Sequence, residues 1–241
     1  MKFGLKDYQR EDILDQYAKK ADFLEVQGLR NKNYDFIKKY KIPIVVHAEH
    51  FSLGINPANP KIRQQNLNSI NQAIKISDIA KGKKIIYHPG DLRDPGCTEE
   101  IAIEFIKNIK DKRIMLENMP DITSERLCRT PEQTKKFLSL TNKPFIFDLA
   151  HCMITANKLK IPQLTLIKQF LKLKPIHFHI SGQDTKSIKD EHLALTDCDI
   201  NWKEILTLYP KDAEITLEVS RDVEKTLEDL EMIREIAKSI N

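Results

Sequence analysis

Residues 84–90 read Lys-Ile-Ile-Tyr-His-Pro-Gly, a short apolar run that ends in a histidine and a Pro-Gly turn. Similar runs recur along the whole chain, and longer segments with the apolar period of a helix separate them. The predicted strands are residues 2–5, 22–27, 42–47, 84–88, 114–117, 145–148, 176–180 and 215–219. Eight strands that alternate with helices over 241 residues are typical of a (β/α)8 TIM barrel, an α/β fold.

The connecting segments carry helix signals. Residues 62–80, 98–109, 161–173 and 223–240 place apolar side chains at helical spacing. Thr98 and Thr130 are predicted N-caps, since two glutamates follow Thr98 and a proline follows Thr130. An open doubly wound sheet is the competing fold, but it normally carries a glycine-rich turn after its first strand, and none follows residues 2–5. We therefore predict a single TIM barrel domain that covers residues 1–241.

The composition is that of an ordinary globular chain. Hydrophobic residues make up 41% and charged residues 31%, which excludes a disordered or collagen-like chain. Lys and Arg exceed Asp and Glu by 39 to 35, a net charge of +4 that is small for a dedicated nucleic-acid binder. No apolar run approaches the ~20 residues that span a bilayer, and the N-terminus shows no secretory pattern. Because the 4 cysteines are widely spaced, we expect free thiols in a cytoplasmic protein. We also expect no membrane contact and no obligate protein partner.

Residue types that bind metals stand where the predicted strands end. Six strands in series end in His, Glu or Asp directly after an apolar run, and a later loop reads Asp190-Glu191-His192. Barrel sites are assembled from the C-terminal ends of strands, so these side chains are predicted to converge. Side chains two apart on a strand share a face, which puts each polar residue above a barrel-filling one. The candidate ligands are His47, His88, Glu117, Asp148, His151, His179, Asp190, His192 and Glu218.

The number of these candidate ligands bears on the metals. Five imidazoles and four carboxylates exceed the roughly four ligands that one zinc ion prefers, so they suit a cluster of two or three ions. Imidazole and carboxylate without thiolate fit zinc, manganese and iron alike. Among the neighbours, His177 is predicted to lie one layer below His179 in a supporting role. Glu25 is predicted to point into the mouth, either as a polar support or with no role, and His50 either contacts substrate or is an exposed loop residue.

Taken together, these residues resemble the endonuclease IV family, the class II apurinic/apyrimidinic endonucleases of the xylose isomerase-like barrel superfamily. The resemblance extends over essentially the whole chain. Its pieces are His47-Ala-Glu-His-Phe, Ile55-Asn-Pro-Ala-Asn-Pro, Asn68-Ser-Ile, His88-Pro-Gly, Glu117-Asn, Asp148-x-x-His151, His179-Ile-Ser, Asp190-x-His192 and Leu217-Glu218. The succession of these pieces, rather than any single one, makes the resemblance specific.

The resemblance implies a three-metal phosphodiesterase that cleaves damaged DNA at abasic sites. It implies three ligand sets, which are His47, His88 and Glu117; Glu117, Asp148, His179 and Glu218; and His151, Asp190 and His192. It also implies catalytic roles for Glu117 and Glu218. Divalent ions neutralise the charge of a phosphodiester and lower the pKa of bound water towards about 7. Zinc is the expected metal, up to three ions per chain, with manganese or iron as alternatives.

The sequence departs from the family at the places that contact DNA. Ile180-Ser-Gly follows His179 where the family typically has Leu-Asn-Asp, and residues 28–34 lead quickly into a predicted helix rather than a long inserting loop. His50 and Phe51 stand where an aromatic intruder is expected. The predicted substrate residues are His50, Phe51, Arg93 and Lys186, and Arg30, Lys32 and Lys189 join the last two in a predicted phosphate-contacting ring at the mouth.

A sugar isomerase or epimerase of the same superfamily is the alternative function. It would need only Glu117, Asp148, His179 and Glu218 to hold one metal, with the two glutamates as an acid–base pair acting on a small sugar or sugar phosphate. His47, Asp190 and His192 discriminate the two functions, since a one-metal isomerase does not need all three. A non-catalytic binding module is a third alternative, which the full set of nine ligands disfavours.

Overall fold

The structure, a computed structural model, describes residues 1–219 and 222–240. Eight parallel strands follow one another around a closed barrel, and the last pairs with the first. They are β1 (Lys2–Asp7), β2 (Phe23–Gln27), β3 (Ile44–His47), β4 (Ile85–Tyr87), β5 (Ile114–Glu117), β6 (Phe145–Asp148), β7 (His177–Ile180) and β8 (Glu214–Leu217). The predicted (β/α)8 barrel is confirmed, with the first and last strands where the sequence places them.

Helices pack around the outside of this barrel and close the main hydrophobic core against it. They are α1 (Glu11–Tyr17), α2 (Arg63–Ala80), α3 (Glu99–Asn108), α4 (Pro131–Thr141), α5 (Leu149–Leu159), α6 (Gln163–Leu171), α7 (Trp202–Thr207) and α8 (Val223–Ser239). The Thr98 and Thr130 hydroxyls accept backbone hydrogen bonds as N-caps of α3 and α4. Within residues 1–219 and 222–240, no helix is both long enough and apolar enough to cross a membrane.

Two connections differ from the sequence-based expectation. In the segment after β2 the predicted helix is a 3-10 helix of 5 residues, Asp35–Lys39, rather than an α-helix. The connection between β6 and β7 holds two helices where the period of residues 161–173 predicted one. Its first helix, α5, begins directly after β6, because the Asp148 carboxylate caps it by accepting the backbone N–H of His151 at 2.7 Å.

The barrel interior has an apolar layer beneath a polar one. Phe23, Val45, Ile86, Met115 and Ile146 form a separate apolar cluster inside the barrel. Gly4 on β1 completes this layer, since a Cβ there would lie 2.1 Å from the Phe23 ring. Two residues further along the chain, a polar side chain points inward from each strand or from the residue directly after it. This polar layer comprises Lys6, Glu25, His47, His88, Glu117, Asp148, His179 and Glu218.

Candidate metal centre

The structure brings all nine predicted ligands to the C-terminal mouth of the barrel. Six belong to the polar layer, His151 lies in the first turn of α5, and Asp190 and His192 lie in the loop after β7. The buried members are His47, Glu117, Asp148, His151 and His179, and the half-buried members are His88, Asp190, His192 and Glu218. The centre therefore runs from a buried floor to a half-buried rim.

One cluster joins β3, β4 and β5. The Nε2 atoms of His47 and His88 lie 3.4 and 3.2 Å from Glu117 Oε2. That buried oxygen has no hydrogen-bond partner among the described residues. Two ligands of one tetrahedral zinc ion, each about 2.0–2.1 Å from the metal, lie about 3.3 Å apart. The three side chains thus have the spacing of ligands around a shared cation. His47 is oriented by its Nδ1, which lies 2.8 Å from the Ala48 carbonyl oxygen.

A second cluster joins β6, β7 and the end of β8. His179 Nδ1 lies 2.9 Å from Glu218 Oε2 and 3.8 Å from Asp148 Oδ2. Although these atoms are close, this nitrogen makes no hydrogen bond within the described chain. Glu117 reaches the same nitrogen with its other oxygen, Oε1, at 3.7 Å. Glu117 therefore presents one oxygen to each cluster, the arrangement of a bridging carboxylate.

The remaining three predicted ligands, called the rim group, share Asp190 as a common neighbour, but their ligand atoms do not converge as those of the other two sets do. The buried His151 converges with Glu117 and Asp148 instead. His151 Nε2 is 3.4 Å from Asp190 Oδ2, and His192 Nε2 is 3.3 Å from Asp190 Oδ1. His192 is held by its other nitrogen, 3.0 Å from the Glu218 carbonyl oxygen. His151 Nδ1 lies 2.8 Å from the Asn118 carbonyl oxygen, which orients the ring, and 3.3 Å from Glu117 Oε1, so His151 connects this group with the buried clusters. The rim group is looser than the first two clusters but continuous with them.

Burial and the attraction between neighbouring imidazoles and carboxylates shift the pKa values of the side chains in the centre. Against the effect of burial, His88 and the neighbouring imidazoles hold the pKa of Glu117 well below its usual value. Against burial as well, the surrounding carboxylates raise the pKa of His179 well above its usual value and that of His192 to about 9. Burial and the Glu117 charge raise the pKa of Asp148 to about 6. His179 and His192 therefore hold protons that a bound divalent cation would displace, so metal binding there must release protons, whereas burial lowers the pKa of His88 to about 4.

One charged residue of the polar layer, Lys6, was not predicted from the sequence. The predicted first strand ended at Leu5, whereas β1 continues to Asp7 and turns the Lys6 side chain inward. The alternation of Gly4 and Lys6 on one face of the strand was the available signal. Glu25, whose role was open, is fully buried and accepts hydrogen bonds from His179 Nε2 and Thr216. His177 lies one layer lower, with Nε2 2.9 Å from the Thr216 hydroxyl, as predicted for a supporting residue.

A cavity of about 320 Å³ opens above the centre. The His50 ring stacks on His88 at a centroid distance of 4.9 Å, and both His50 and Phe51 line the wall. The lining carboxylates are Glu49, Asp91, Glu117, Asp190 and Glu218. Arg126, which was not singled out from the sequence, is the one lysine or arginine of the described chain in this wall.

The predicted ring of basic loop residues does not line this cavity. Arg30 pairs with Glu49 at 2.7 Å, and Arg93 pairs with Asp91 at 2.8 Å while its guanidinium covers the Phe51 ring. The other three, Lys32, Lys186 and Lys189, are exposed outside the cavity wall. The two arginines therefore form ion pairs with carboxylates of the mouth loops and stabilise those loops.

Comparison with known proteins relates the chain to a wider family. A family model described as xylose isomerase-like TIM barrel matches residues 27–236. The uncharacterized protein MJ1311 of Methanocaldococcus jannaschii is 24% identical over 220 residues, which cover 84% of this chain and 73% of that protein.

Three solved structures share the fold at identities too low to indicate more than the fold. A D-tagatose 3-epimerase-like protein is 21% identical with a TM-score of 0.78, covering 100% of this chain and 98% of that one. The TTHB071 protein of Thermus thermophilus, soaked with ZnCl2, is 18% identical with a TM-score of 0.71, covering 98% of both chains. Endonuclease IV of Thermus thermophilus is 13% identical with a TM-score of 0.74, covering 99% of this chain and 100% of that one.

Proposed function

The chain belongs to the xylose isomerase-like TIM barrel family, and within that family we propose that it is a metal-dependent phosphodiesterase that cleaves the DNA backbone at abasic sites. The observation that carries the proposal is the continuity of nine ligand side chains across the mouth. A single-metal isomerase needs four of them, whereas His47, Asp190 and His192 extend the set in two directions. Extra ligands in contact with the buried clusters support a multi-metal centre.

The residues present fit divalent cations. Unpartnered buried atoms of Glu117, His179 and Asp190 face other ligands at 2.9–3.4 Å, and each is a donor type that zinc, manganese or iron accepts. Bound at these positions, divalent ions would neutralise phosphodiester charge and activate water at neutral pH. His47, His88 and Glu117 would hold one ion, Asp148, His179 and Glu218 with Glu117 a second, and His151, Asp190 and His192 a third.

The chain's own residues then have distinct tasks in this reaction. Glu117 spans two ligand clusters with its two oxygens and keeps them at a fixed separation. Glu218 reaches the cavity wall from the second cluster, where it would hold a metal ion next to the reacting phosphate. His50 and Phe51 form an aromatic wall beside the centre, suited to the sugar and the gap of an abasic nucleotide. Without metal, five lining carboxylates would repel a phosphate, so DNA binding should require metal.

A sugar isomerase or epimerase is the second candidate, and the cavity favours it. The cavity of about 320 Å³ suits a small ligand, and only Arg126 in the described wall offers a basic side chain to phosphate. The D-tagatose 3-epimerase-like structure supports the same alternative. In that case Glu117 and Glu218 would act as the acid–base pair on either side of one metal-bound sugar.

One experiment separates the two functions. The chain is loaded with zinc, manganese or iron and assayed on a duplex containing one tetrahydrofuran abasic analogue, and in parallel on free ketoses and their phosphates. The same assays are run on Asp190→Asn and His192→Gln. The proposal expects incision that both variants reduce at least about tenfold, in line with lost metal ligation. Sugar turnover without incision, unaffected by either variant, would establish the isomerase instead.

A further inference from the structure

A buried lysine lies among the proposed ligands. The Lys6 side chain is only 8% exposed, and its Nζ is 2.7 Å from Glu218 Oε1 and 3.5 Å from Glu25 Oε1. β1 contributes it directly beside Glu25 of β2, in the same layer as the ligands. An ammonium is costly to bury unless opposite charges surround it closely. An apolar residue at this position would cost less free energy to bury, as the apolar residues of the layer below show. The charge of Lys6 therefore needs an explanation.

Glu25 in turn holds a proposed ligand, His179. Its Oε2 accepts the Nε2 proton of His179 at 2.9 Å and the Thr216 hydroxyl at 2.7 Å, and Glu25 is fully buried. A histidine that donates one ring N–H to a carboxylate presents the lone pair of its other nitrogen. For His179 that other nitrogen is Nδ1, which faces Glu218 Oε2 and Asp148. Glu25 therefore aims His179 at the second ligand cluster.

Lys6 divides the two oxygens of Glu218 between different partners. Oε1 receives the ammonium at 2.7 Å, and Oε2 faces His179 Nδ1 at 2.9 Å. Only Oε2 is left to a cation that His179 also binds. Because Lys6 also contacts Glu25, one ammonium fixes both the ligand Glu218 and the carboxylate that orients His179.

We propose that Lys6 and Glu25 are positioning residues that set His179 and Glu218 for the second metal ion before it binds, with Glu218 held to a single-oxygen contact. This inference rests on the proposed metal centre. It is independent of the substrate, since the same two ligands serve the phosphodiesterase and the isomerase. The opposite end of the barrel provides a control pair, Lys84 and Glu214 at 2.8 Å. Neither contacts a proposed ligand, although Lys84 Nζ also lies 3.4 Å from Nδ1 of the supporting residue His177, so Glu214→Gln is the cleaner control.

The test measures metal binding rather than activity. Zinc affinity is determined by chelator competition, and coordination by the visible spectrum of the cobalt-loaded protein, for Glu25→Gln, Lys6→Met and the double variant. Glu25→Gln is expected to weaken one zinc ion about 10–100-fold. Lys6→Met is expected to change the cobalt spectrum as Glu218 gains a second contact. Glu214→Gln and Lys84→Met are expected to leave affinity and spectrum unchanged.

The double variant covers the case in which a single variant fails to fold. It removes the charges of Lys6 and Glu25 together, and Glu218, which is half-buried, keeps its contact with His179. Unchanged affinity and spectrum in the variants, or equal losses in the Lys84 and Glu214 controls, would overturn the proposal. Metal binding that follows the expected pattern without DNA incision would leave the proposal standing and reject the nuclease. A wild-type chain that binds no metal would overturn both.

Discussion

The two ends of the barrel differ in charge and in burial: carboxylates dominate the C-terminal cavity, and solvated lysines dominate the N-terminal groove. Among the described residues, the cavity at the C-terminal mouth is lined by five carboxylates and one arginine, and Glu49, Asp91 and Glu117 are buried. At the N-terminal end, a wider groove of about 1100 Å³ is lined, within the same described ranges, by six lysines and two acidic residues, Asp212 and Glu214. Solvated lysines cost the fold little, whereas buried carboxylates are costly unless a cation accompanies them. The mouth, and not the larger groove, is therefore the candidate site for a cationic ligand.

This comparison also explains why net charge was a poor guide to the site. The excess of +4 describes the whole chain, but the groove alone contains an excess of four lysines over acids. Barrel enzymes place their chemistry at the C-terminal end, and the opposite end serves stability. Substitutions at the two ends should therefore differ in their effects, and the largest difference is expected at Glu117.

Replacing Glu117 by Gln should abolish activity. The amide keeps the size of the side chain but cannot give a negative oxygen to each of two clusters, so turnover should fall at least about 10³-fold. The barrel should still form, but the metal-free variant should melt at a lower temperature than the wild type, because the imidazoles around this position lose their buried counter-charge. The matched substitution at the other end, Glu214→Gln, should leave turnover unchanged. Equal losses for both would erase the distinction between the ends.

Metal affinity at the mouth should rise with pH. Its neighbours raise the pKa of His192 to about 9, so below that pH a proton must leave before the ring can bind metal. Each displaced proton increases affinity about tenfold per pH unit, and the increase should level off above pH 9. For the metal-free protein the sign is reversed, because the stability that protonated His192 contributes below pH 6.5 is lost as pH rises through about 9.

Zinc competition titrations from about pH 6.5 to 9.5 measure this dependence, with His192→Gln as the control that should flatten part of it. An affinity independent of pH would show that the imidazoles at the rim do not take part in binding.

Replacing Lys84 by Met should have the smallest effect. Its pair with Glu214 is partly solvated at the groove, and such pairs contribute less than about 1 kcal/mol to the free energy of unfolding. Urea denaturation of the variant should therefore give nearly the wild-type midpoint. A large loss of stability would mean that the N-terminal end depends on its charges as much as the mouth does.

Much of the fold and of the candidate centre could be predicted from the sequence, and the reason is geometric. Residues 44–47 and 114–117 each combine an apolar run with a terminal ligand, and parallel strands of a barrel bring such ends together whatever the loops do. Loop residues have no such rule. Arg30 pairs with Glu49, 19 residues away along the chain, and Arg93 pairs with Asp91, two residues before it, while the predicted phosphate contacts of both arginines stay a prediction.

Two other omissions have local causes. α5 was not predicted because its first eight residues, 149–156, are all buried, and a helix buried all round has no polar face to reveal its period. Lys6 was not predicted because a charged pair, Lys6-Asp7, is typical of a strand end. Its place two residues after Gly4 was the sequence signal for its inward direction, but its partners Glu25 and Glu218 come from distant parts of the chain.

The most direct test of the central claim is a count of bound metal per chain. The purified protein is stripped with chelator, reloaded with zinc, freed of excess metal and analysed by elemental mass spectrometry, alongside Glu117→Gln and Glu214→Gln. We predict at least two zinc ions per wild-type chain, the same number in Glu214→Gln, and fewer in Glu117→Gln because both clusters share that carboxylate. A wild-type chain that retains one ion or none, or a Glu117→Gln chain that retains the full number, would contradict the proposed multi-metal centre.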